Sequence, residues 1–240
     1  MKISFPSHAI RVKNVSRRIP IQDRSTIQGL IGIADDIVVA GKSEEEHYRR
    51  LHEVMGRCRS IGLKSNPEKC KIIEQKIKLY GVVCGQDAIQ PDPSNVSALK
   101  GMASPNNVKD LQAFLGLATY MSAFIPSLSS LTTSLRDLLK ETSELQWFPE
   151  HQEEFKRIGK QISEKVTLSY FNPDKKVVLQ VDASVKGLGA WLLQDNKPVA
   201  FESKALTSVE ARYANIDREL LAVGYGCERF RIHTFMAVVS

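Results

Sequence analysis

The sequence has little cysteine and no long apolar run, and both absences narrow the classes of protein that it can encode. Its four cysteines form no CxxC pair: Cys58, Cys70, Cys84 and Cys227. We therefore expect reduced thiols rather than a disulfide framework or a zinc site. Its apolar runs fall far short of the ~20 residues that span a bilayer, and its first residues lack the apolar stretch of a secretory signal. These features predict an intracellular protein of the cytoplasm or nucleus, without a membrane partner.

Acidic residues are scarce at the start of the chain, where basic residues are frequent. Residues 1–28 contain six basic side chains and a single acidic one, Asp23. Most of the net charge of +6 therefore lies in this segment, and the rest of the chain is nearly neutral. A weakly basic average is more often a solubility feature than a nucleic-acid footprint. At 240 residues and 42% hydrophobic, the chain is long enough for one large globular domain or two modest ones.

The first regular pattern consists of two apolar runs, LIGI and IVVA, which flank the polar step ADD and predict a β-hairpin. Ser43 and Glu46 follow at capping-box spacing, and apolar residues recur at helical intervals as far as Gly62. This segment therefore predicts a helix that ends at a glycine. The next apolar stretch, KIIEQKIKLYGVVCG, predicts two short strands.

The middle of the chain has helical periodicity interrupted by proline. We predict a short helix capped by Asp92, a second that begins at Ser104–Pro105, a third after Pro126 and a fourth that runs through Val166. Consecutive helices with short connections indicate a small helical subdomain.

Near the C-terminus the apolar period changes to two. KKVVLQVDAS, GLGAWLLQ and VAFESKAL predict three strands, and Gly187 and Gly189 would allow close packing. Thr207 with Glu210 predicts the start of a long helix. Gly224 and Gly226 lie inside that helix. Each costs about 1 kcal/mol relative to alanine, so we expect the helix to be weakened there.

The adjacent acids Asp35 and Asp36 have two interpretations. Aspartate is common in turns, and for an isolated pair that interpretation is favoured. At the bend of a hairpin, however, two carboxylates can converge and bind a hard cation such as Mg²⁺. From the residues alone, Asp182 is better explained as a strand-end cap and Glu219 as a solvated helix residue. Four histidines lack ligand spacing and should lie at the surface: His47, His52, His151 and His233.

Several motifs, in fixed order, extend from the aspartate hairpin to the last predicted helix. GIADDIVVAGKSEEEH, GLKSNPEKC and KLYGVVCG resemble consecutive palm motifs of retrotransposon reverse transcriptases, most closely those of gypsy-type LTR-retrotransposon Pol polyproteins. IQPDPSNVSALKGMASPNNVKDLQAFLGLATYMSAFIP is similar to the family's thumb. The segment from LQVDAS to RELLAV is similar to the start of its ribonuclease H domain.

The resemblance implies an α+β fold. It places a partial polymerase palm at 28–90, a thumb-like helical segment at 91–145 and a truncated ribonuclease H-like β-β-β-α domain at 146–240, after an unassigned basic arm at 1–27. It implies an RNA-directed DNA polymerase with ribonuclease H activity. The expected partners are an RNA or DNA template–primer and an RNA–DNA hybrid.

The resemblance also implies the site residues, with Mg²⁺ as the cofactor. The family's catalytic, metal-binding acids correspond to Asp35, Asp36, Asp182 and Glu219. Its nucleic-acid contacts correspond to Lys64, Lys69, Tyr80 and Gly81, the last two in the segment that grips the primer. For the two lysines, a solvated surface position is an equally good interpretation.

The sequence departs from the family pattern at two places. The palm of a reverse transcriptase uses a further aspartate from an earlier strand, and Asp23, the single acid in residues 1–27, lacks its motif. After CERFRIHTF the chain ends MAVVS, without the later ribonuclease H acids. We therefore expect impaired two-metal catalysis and a marginally stable C-terminal domain with an open sheet edge. The alternatives are a non-enzymatic RNA- or DNA-binding remnant and a truncated gene product without a role.

Overall fold

The computed structural model describes residues 8–12, 30–33, 36–41, 43–62, 70–140, 145–164, 166–231 and 233. The chain divides into two compact units, Met1–Ile89 and Gln90–Ser240. Both units contain helices and strands, which confirms the predicted α+β class. The division of the second unit into a thumb-like segment and a ribonuclease H-like domain stays a prediction. All four cysteines are free thiols. Within the described ranges, no helix is both long and apolar enough to cross a membrane.

The first unit contains a four-stranded antiparallel sheet. Its strands, in spatial order, are β2 (Leu30–Ile33), β3 (Asp36–Gly41), β1 (His8–Val12) and β4 (Lys71–Glu74). The predicted hairpin is confirmed, because β2 and β3 pair from Leu30 opposite Val39 to Ile33 opposite Asp36. Ile37, Val38 and Val39 are buried. The apolar half of the hairpin therefore belongs to the core of this unit.

Helix α1 (Glu44–Ser60) begins as predicted. The Ser43 hydroxyl accepts a hydrogen bond from the Glu46 N–H at 3.2 Å, and Gly62 follows the helix with a φ of +69°. His47 is fully buried, so its predicted surface position is wrong. A Cβ on Gly41 would lie 2.5 Å from the His47 backbone, so glycine is required where α1 approaches the end of β3.

The stretch predicted as two strands contains three. After β4, the chain forms β5 (Ile77–Leu79) and β6 (Val82–Cys84), which pair in antiparallel fashion. Tyr80 and Gly81 connect them, with φ angles of 47° and 75°. Two consecutive positive φ values are the signature of the two-residue type I′ hairpin turn. Strand β7 (Ala88–Pro91) follows and crosses the boundary between the two units.

The second unit begins with short helices. These are α2 (Pro93–Gly101), α3 (Val108–Tyr120), α4 (Leu128–Leu131), α5 (Thr133–Asp137) and α6 (Pro149–Ser163), with a 3₁₀ turn at Ser122–Phe124. Asp92 caps α2 as predicted. Helix α3 starts later than predicted, because Asn107 rather than Ser104 accepts the capping bond, from the Asp110 N–H at 2.9 Å. The single helix predicted after Pro126 is instead the pair α4 and α5.

These helices enclose a continuous apolar core. It consists of Leu99, Leu111, Phe114, Leu115, Ala118, Met121, Ile125, Leu128, Leu135, Leu138, Ile158 and Ile162. Trp147 packs against this cluster, and the rings of Phe114 and Phe155 lie 4.5 Å apart. His151 is buried rather than exposed, and its Nδ1 accepts a hydrogen bond from the Phe148 N–H at 3.0 Å. The imidazole therefore helps to cap α6.

The predicted three strands form an antiparallel sheet in the order β11 (Lys197–Ala205), β10 (Gly187–Gln194), β9 (Val178–Ala183). A two-residue strand, β8 (Leu168–Ser169), precedes them. The predicted close packing at two glycines is present. A Cβ on Gly187 would lie 2.7 Å from Ser130 Oγ, and a Cβ on Gly189 would lie 2.7 Å from Ser127 Oγ. Side chains at these positions would push the sheet away from the start of α4.

Helix α7 (Asn215–Arg229) completes the unit. Thr207 and Glu210 form the predicted reciprocal hydrogen bonds, at 2.8 and 3.2 Å, but they cap a 3₁₀ turn at Glu210–Arg212 rather than the long helix. The helix continues through Gly224 and Gly226. A Cβ on Gly226 would lie 3.0 Å from Val181 and 3.2 Å from Leu179. The glycine predicted to weaken the packing is therefore the residue that permits α7 to approach β9.

Candidate functional site

The hairpin of β2 and β3 carries the first predicted acid pair. Asp36 is the first residue of β3, and its backbone pairs with Ile33. The four residues that follow it are buried, which fixes this strand in the core. Asp35 and the side chain of Asp36 lie outside the part of the chain that the structure describes. Their convergence on a metal ion stays a prediction.

The β5–β6 turn carries the predicted primer contact. Tyr80 has a φ of 47° and is 45% exposed, and Gly81 has a φ of 75°. A positive φ is uncommon for a residue other than glycine, but the type I′ turn needs it at both positions. The tight turn thus presents an aromatic side chain to solvent, where it can reach a ligand. The other two predicted contacts, Lys64 and Lys69, lie outside the described residues.

The second acid pair lies on neighbouring elements of the second unit. Asp182 is exposed near the end of β9, opposite Gly189 in the sheet register. Glu219 is half-buried in the second turn of α7. Helix α7 packs on β9 at Gly226. One packed strand–helix pair therefore supplies both carboxylates, although they are far apart in the sequence.

The donor chemistry of this acid pair suits Mg²⁺. In proteins, Mg²⁺ is usually bound through one or two carboxylates together with waters and substrate phosphates. Asp182 and Glu219 are carboxylates of this chemical type, and their convergence on one metal ion stays a prediction. No group of three or more His, Cys, Asp or Glu residues in the described part of the chain could hold a metal ion by itself.

Sequence reasoning missed a polar cluster in the second unit. The Arg136 guanidinium donates hydrogen bonds to the hydroxyls of Thr119, at 2.9 Å, and Thr132, at 3.1 Å. Ser129 contacts the Ser203 hydroxyl through both its N–H, at 3.1 Å, and its own hydroxyl, at 3.0 Å. These residues come from α3, α4, α5 and β11 and the residues next to them. No local sequence pattern could therefore have grouped them.

Comparison with known families gives one match in each unit. Residues 20–84 match the family described as reverse transcriptase (RNA-dependent DNA polymerase), and residues 147–238 match the RNase H-like domain found in reverse transcriptase. Both matches are to domains of reverse transcriptases. The chain is 31% identical, over 194 residues, to the Transposon Tf2-3 polyprotein of Schizosaccharomyces pombe. The match covers 79% of this chain and 15% of the polyprotein, so the chain spans a small part of the length of that relative.

Solved reverse transcriptase structures have the same fold. The foamy viral protease-reverse transcriptase dRH in complex with double-stranded DNA superposes with a TM-score of 0.81, at 16% identity, over 97% of this chain and 48% of that chain. The foamy viral protease-reverse transcriptase in complex with an RNA/DNA hybrid gives a TM-score of 0.80, at 16% identity, over 95% and 38% of the two chains. These superpositions confirm the predicted fold.

Proposed function

We propose that this chain is a nucleic-acid-binding segment of a retrotransposon reverse transcriptase. Its partners would be an RNA or DNA template–primer and an RNA–DNA hybrid. The observation that carries the proposal is the presence of a polymerase match followed by a ribonuclease H-like match in one chain. The nucleic acids present in the two structures of similar fold support this class of partner. The four free cysteines agree with an intracellular place of action.

The acid pairs have parallel roles in this proposal. Asp35 and Asp36 would bind Mg²⁺ in the polymerase unit, and Asp182 and Glu219 would bind it in the ribonuclease H-like region. When bound, Mg²⁺ supplies activation of the attacking oxygen and stabilisation of the leaving oxygen in phosphoryl transfer. The Tyr80–Gly81 turn would contact the primer strand, and Lys64 and Lys69 would contact backbone phosphates.

Acting as a separate polypeptide, these 240 residues should bind nucleic acid without efficient catalysis. Two-metal phosphoryl transfer needs carboxylates shared between the ions. The palm motifs contribute the doublet, and Asp23 is the single acid in residues 1–27. The ribonuclease H-like region contributes Asp182 and Glu219. We therefore propose that each acid pair is part of a larger ligand set.

The test measures binding and catalysis on the same purified chain. Fluorescence anisotropy reports binding to a labelled RNA–DNA hybrid, and Mg²⁺-dependent assays report primer extension on an RNA template and cleavage of RNA in the hybrid. We expect salt-dependent binding with neither activity. An Asp87→Asn variant, at an exposed aspartate outside both acid pairs, controls for the loss of one negative charge.

Two results would contradict the proposal. The first is primer extension that Asp35→Asn abolishes, or RNA cleavage that Asp182→Asn abolishes. If Asp87→Asn retains that activity, catalysis is not impaired. If the wild-type chain binds neither hybrid nor duplex at low salt, the proposed partner class is wrong.

A further inference from the structure

A polar cavity of about 220 Å³ lies in the second unit, between the helical segment and β11. Its polar lining consists of four hydroxyl side chains, one arginine and one glutamate: Thr119, Ser122, Ser129, Ser203, Arg136 and Glu202. The rest of its lining is apolar. Hydroxyls from three separate parts of the chain therefore surround a single guanidinium group.

Arg136 is held in place, but its charge is not neutralised by the residues around it. Its Nε donates to the Thr132 hydroxyl, at 3.1 Å, and one terminal nitrogen donates to the Thr119 hydroxyl, at 2.9 Å. Thr132 is fully buried, so the first of these partners is rigid. The side chain has five N–H groups, and three of them have no partner among the described residues. No carboxylate of the described residues lies at salt-bridge distance from Arg136.

Glu202 does not supply the missing negative charge. Its carboxylate accepts hydrogen bonds from Arg229 Nε and a terminal nitrogen, at 3.3 and 3.0 Å. This contact raises the pKa of Arg229, as expected for a pair in which both groups are charged. The Glu202–Arg229 pair is therefore close to neutral, and Arg136 leaves the cavity with a net positive charge.

We propose that this cavity binds a backbone phosphate of a nucleic acid, with Arg136 as the principal contact. Arginine and hydroxyl side chains are among the groups that contact phosphate oxygens in protein–DNA complexes. The unused guanidinium N–H groups can form charge-assisted bonds to two of those oxygens. A single water needs about 10–15 Å³ of such cavity volume, so about 220 Å³ leaves room for one phosphate group. The inference rests on the proposed function, because that function makes nucleic acid the source of the phosphate.

The experiment uses the full chain and a labelled DNA duplex of random sequence, titrated by fluorescence anisotropy at several salt concentrations. The slope of log K against log salt is negative, and loss of one phosphate contact reduces its magnitude by about 0.9. We expect Arg136→Gln to show this change and to bind about tenfold more weakly at low salt. The matched control is Lys109→Gln on α3, which removes one positive charge at an exposed residue outside the cavity and should leave the slope unchanged.

A second variant keeps Arg136 and its hydrogen bonds. Ser122→Asp adds a carboxylate at an exposed residue that lines the cavity, where it would pair with Arg136 and exclude phosphate. We expect it to reproduce the binding defect of Arg136→Gln. Thermal melts of all variants identify a defect that comes from loss of the fold. If Arg136→Gln does not fold, Ser122→Asp alone decides the outcome.

The outcomes separate this inference from the function on which it rests. If the wild-type chain binds duplex and the folded cavity variants bind with an unchanged slope, the cavity proposal is overturned and the proposed function stands. If the wild-type chain binds neither duplex nor RNA–DNA hybrid, the proposed function and this inference both fail. Titration with inorganic phosphate, followed by ³¹P NMR, then distinguishes the source. Phosphate binding that requires Arg136, without duplex binding, assigns the cavity to a small anion and overturns the nucleic-acid assignment.

Discussion

The helical segment of the second unit, residues 92–163, and its sheet–helix segment, residues 178–230, bury apolar side chains to different extents. Among the described residues, the helical segment contains one cluster of twelve buried apolar side chains, whereas the cluster of the sheet and α7 contains four. On α7, Ile216, Leu220 and Val223 are 66%, 63% and 45% exposed, although they recur at helical spacing. Amphipathic spacing therefore identifies a helix, but it does not show which of its faces is covered.

The sheet also depends on the helical segment on its other side. Gly187 and Gly189 lie against Ser130 and Ser127, and Ser203 bonds to Ser129. A fragment that contains the sheet and α7 alone would lose these contacts. This agrees with the sequence-based expectation of marginal stability for the C-terminal domain, which stays a prediction.

The largest expected effect lies in the helical core. Phe114 is 1% exposed and packs against Phe155. Replacement by alanine leaves a cavity, so Phe114→Ala should lower the free energy of unfolding by about 3–5 kcal/mol. Urea titration followed by circular dichroism measures the change. Leu220→Ala on the exposed face of α7 is the comparison variant and should change stability by about 0.5 kcal/mol or less. Similar losses for the two variants would show that the exposed face of α7 is covered in solution.

Substitution of the two glycines of α7 should change the free energy of unfolding by a smaller amount. Gly224 has no atom within 4 Å of an added Cβ, whereas Gly226 has Val181 at 3.0 Å and Leu179 at 3.2 Å. Gly224→Ala should stabilise the chain by up to about 1 kcal/mol through helix propensity. At Gly226 the gain is outweighed by overpacking, so Gly226→Ala should destabilise it by about 1 kcal/mol. Thermal melts of the two variants compare them directly. Equal stabilisation by both would show that α7 does not pack closely on β9.

The smallest expected effect is the pH dependence of the turn before α7. Hydrogen bonds from Lys204 and Thr207 lower the pKa of Glu210 from 4.5 to about 2. A lowered pKa in the folded state means that the pair stabilises the fold above pH 4.5 and loses this contribution as the pH falls towards 2. Since the pair lies near the surface, we expect it to contribute about 1 kcal/mol or less.

Glu210→Gln should remove this acid-dependent component of stability. Urea titrations at neutral pH and in the acid range measure the difference in unfolding free energy between the variant and the wild type. Glu153→Gln, at an exposed glutamate of α6, is the control and should follow the wild-type pH profile. A difference between Glu210→Gln and the wild type that stays constant with pH would contradict the lowered pKa.

Much of the fold could be predicted because its signals are local. The hairpin of β2 and β3, the Ser43 and Asp92 caps and the three strands of the last sheet each follow from neighbouring residues. The errors occurred where tertiary contacts override local preference. His47 and His151 are buried by packing and capping partners. The capping bonds of Thr207 and Glu210 are present as predicted, but they cap a short 3₁₀ turn, and α7 begins only at Asn215.

The sequence by itself determined the resemblance to reverse transcriptases, the order of the two matched regions and the identity of the candidate acids, because motifs keep their order and spacing along the chain. Only the tertiary structure placed Asp182 and Glu219 on one packed strand–helix pair and gathered Arg136 with hydroxyls from separate elements around one cavity. The physical reason is that residues far apart in sequence meet only through the packing of helices and strands. The need for glycine at position 226 has the same origin, because it depends on Val181 and Leu179 of another element.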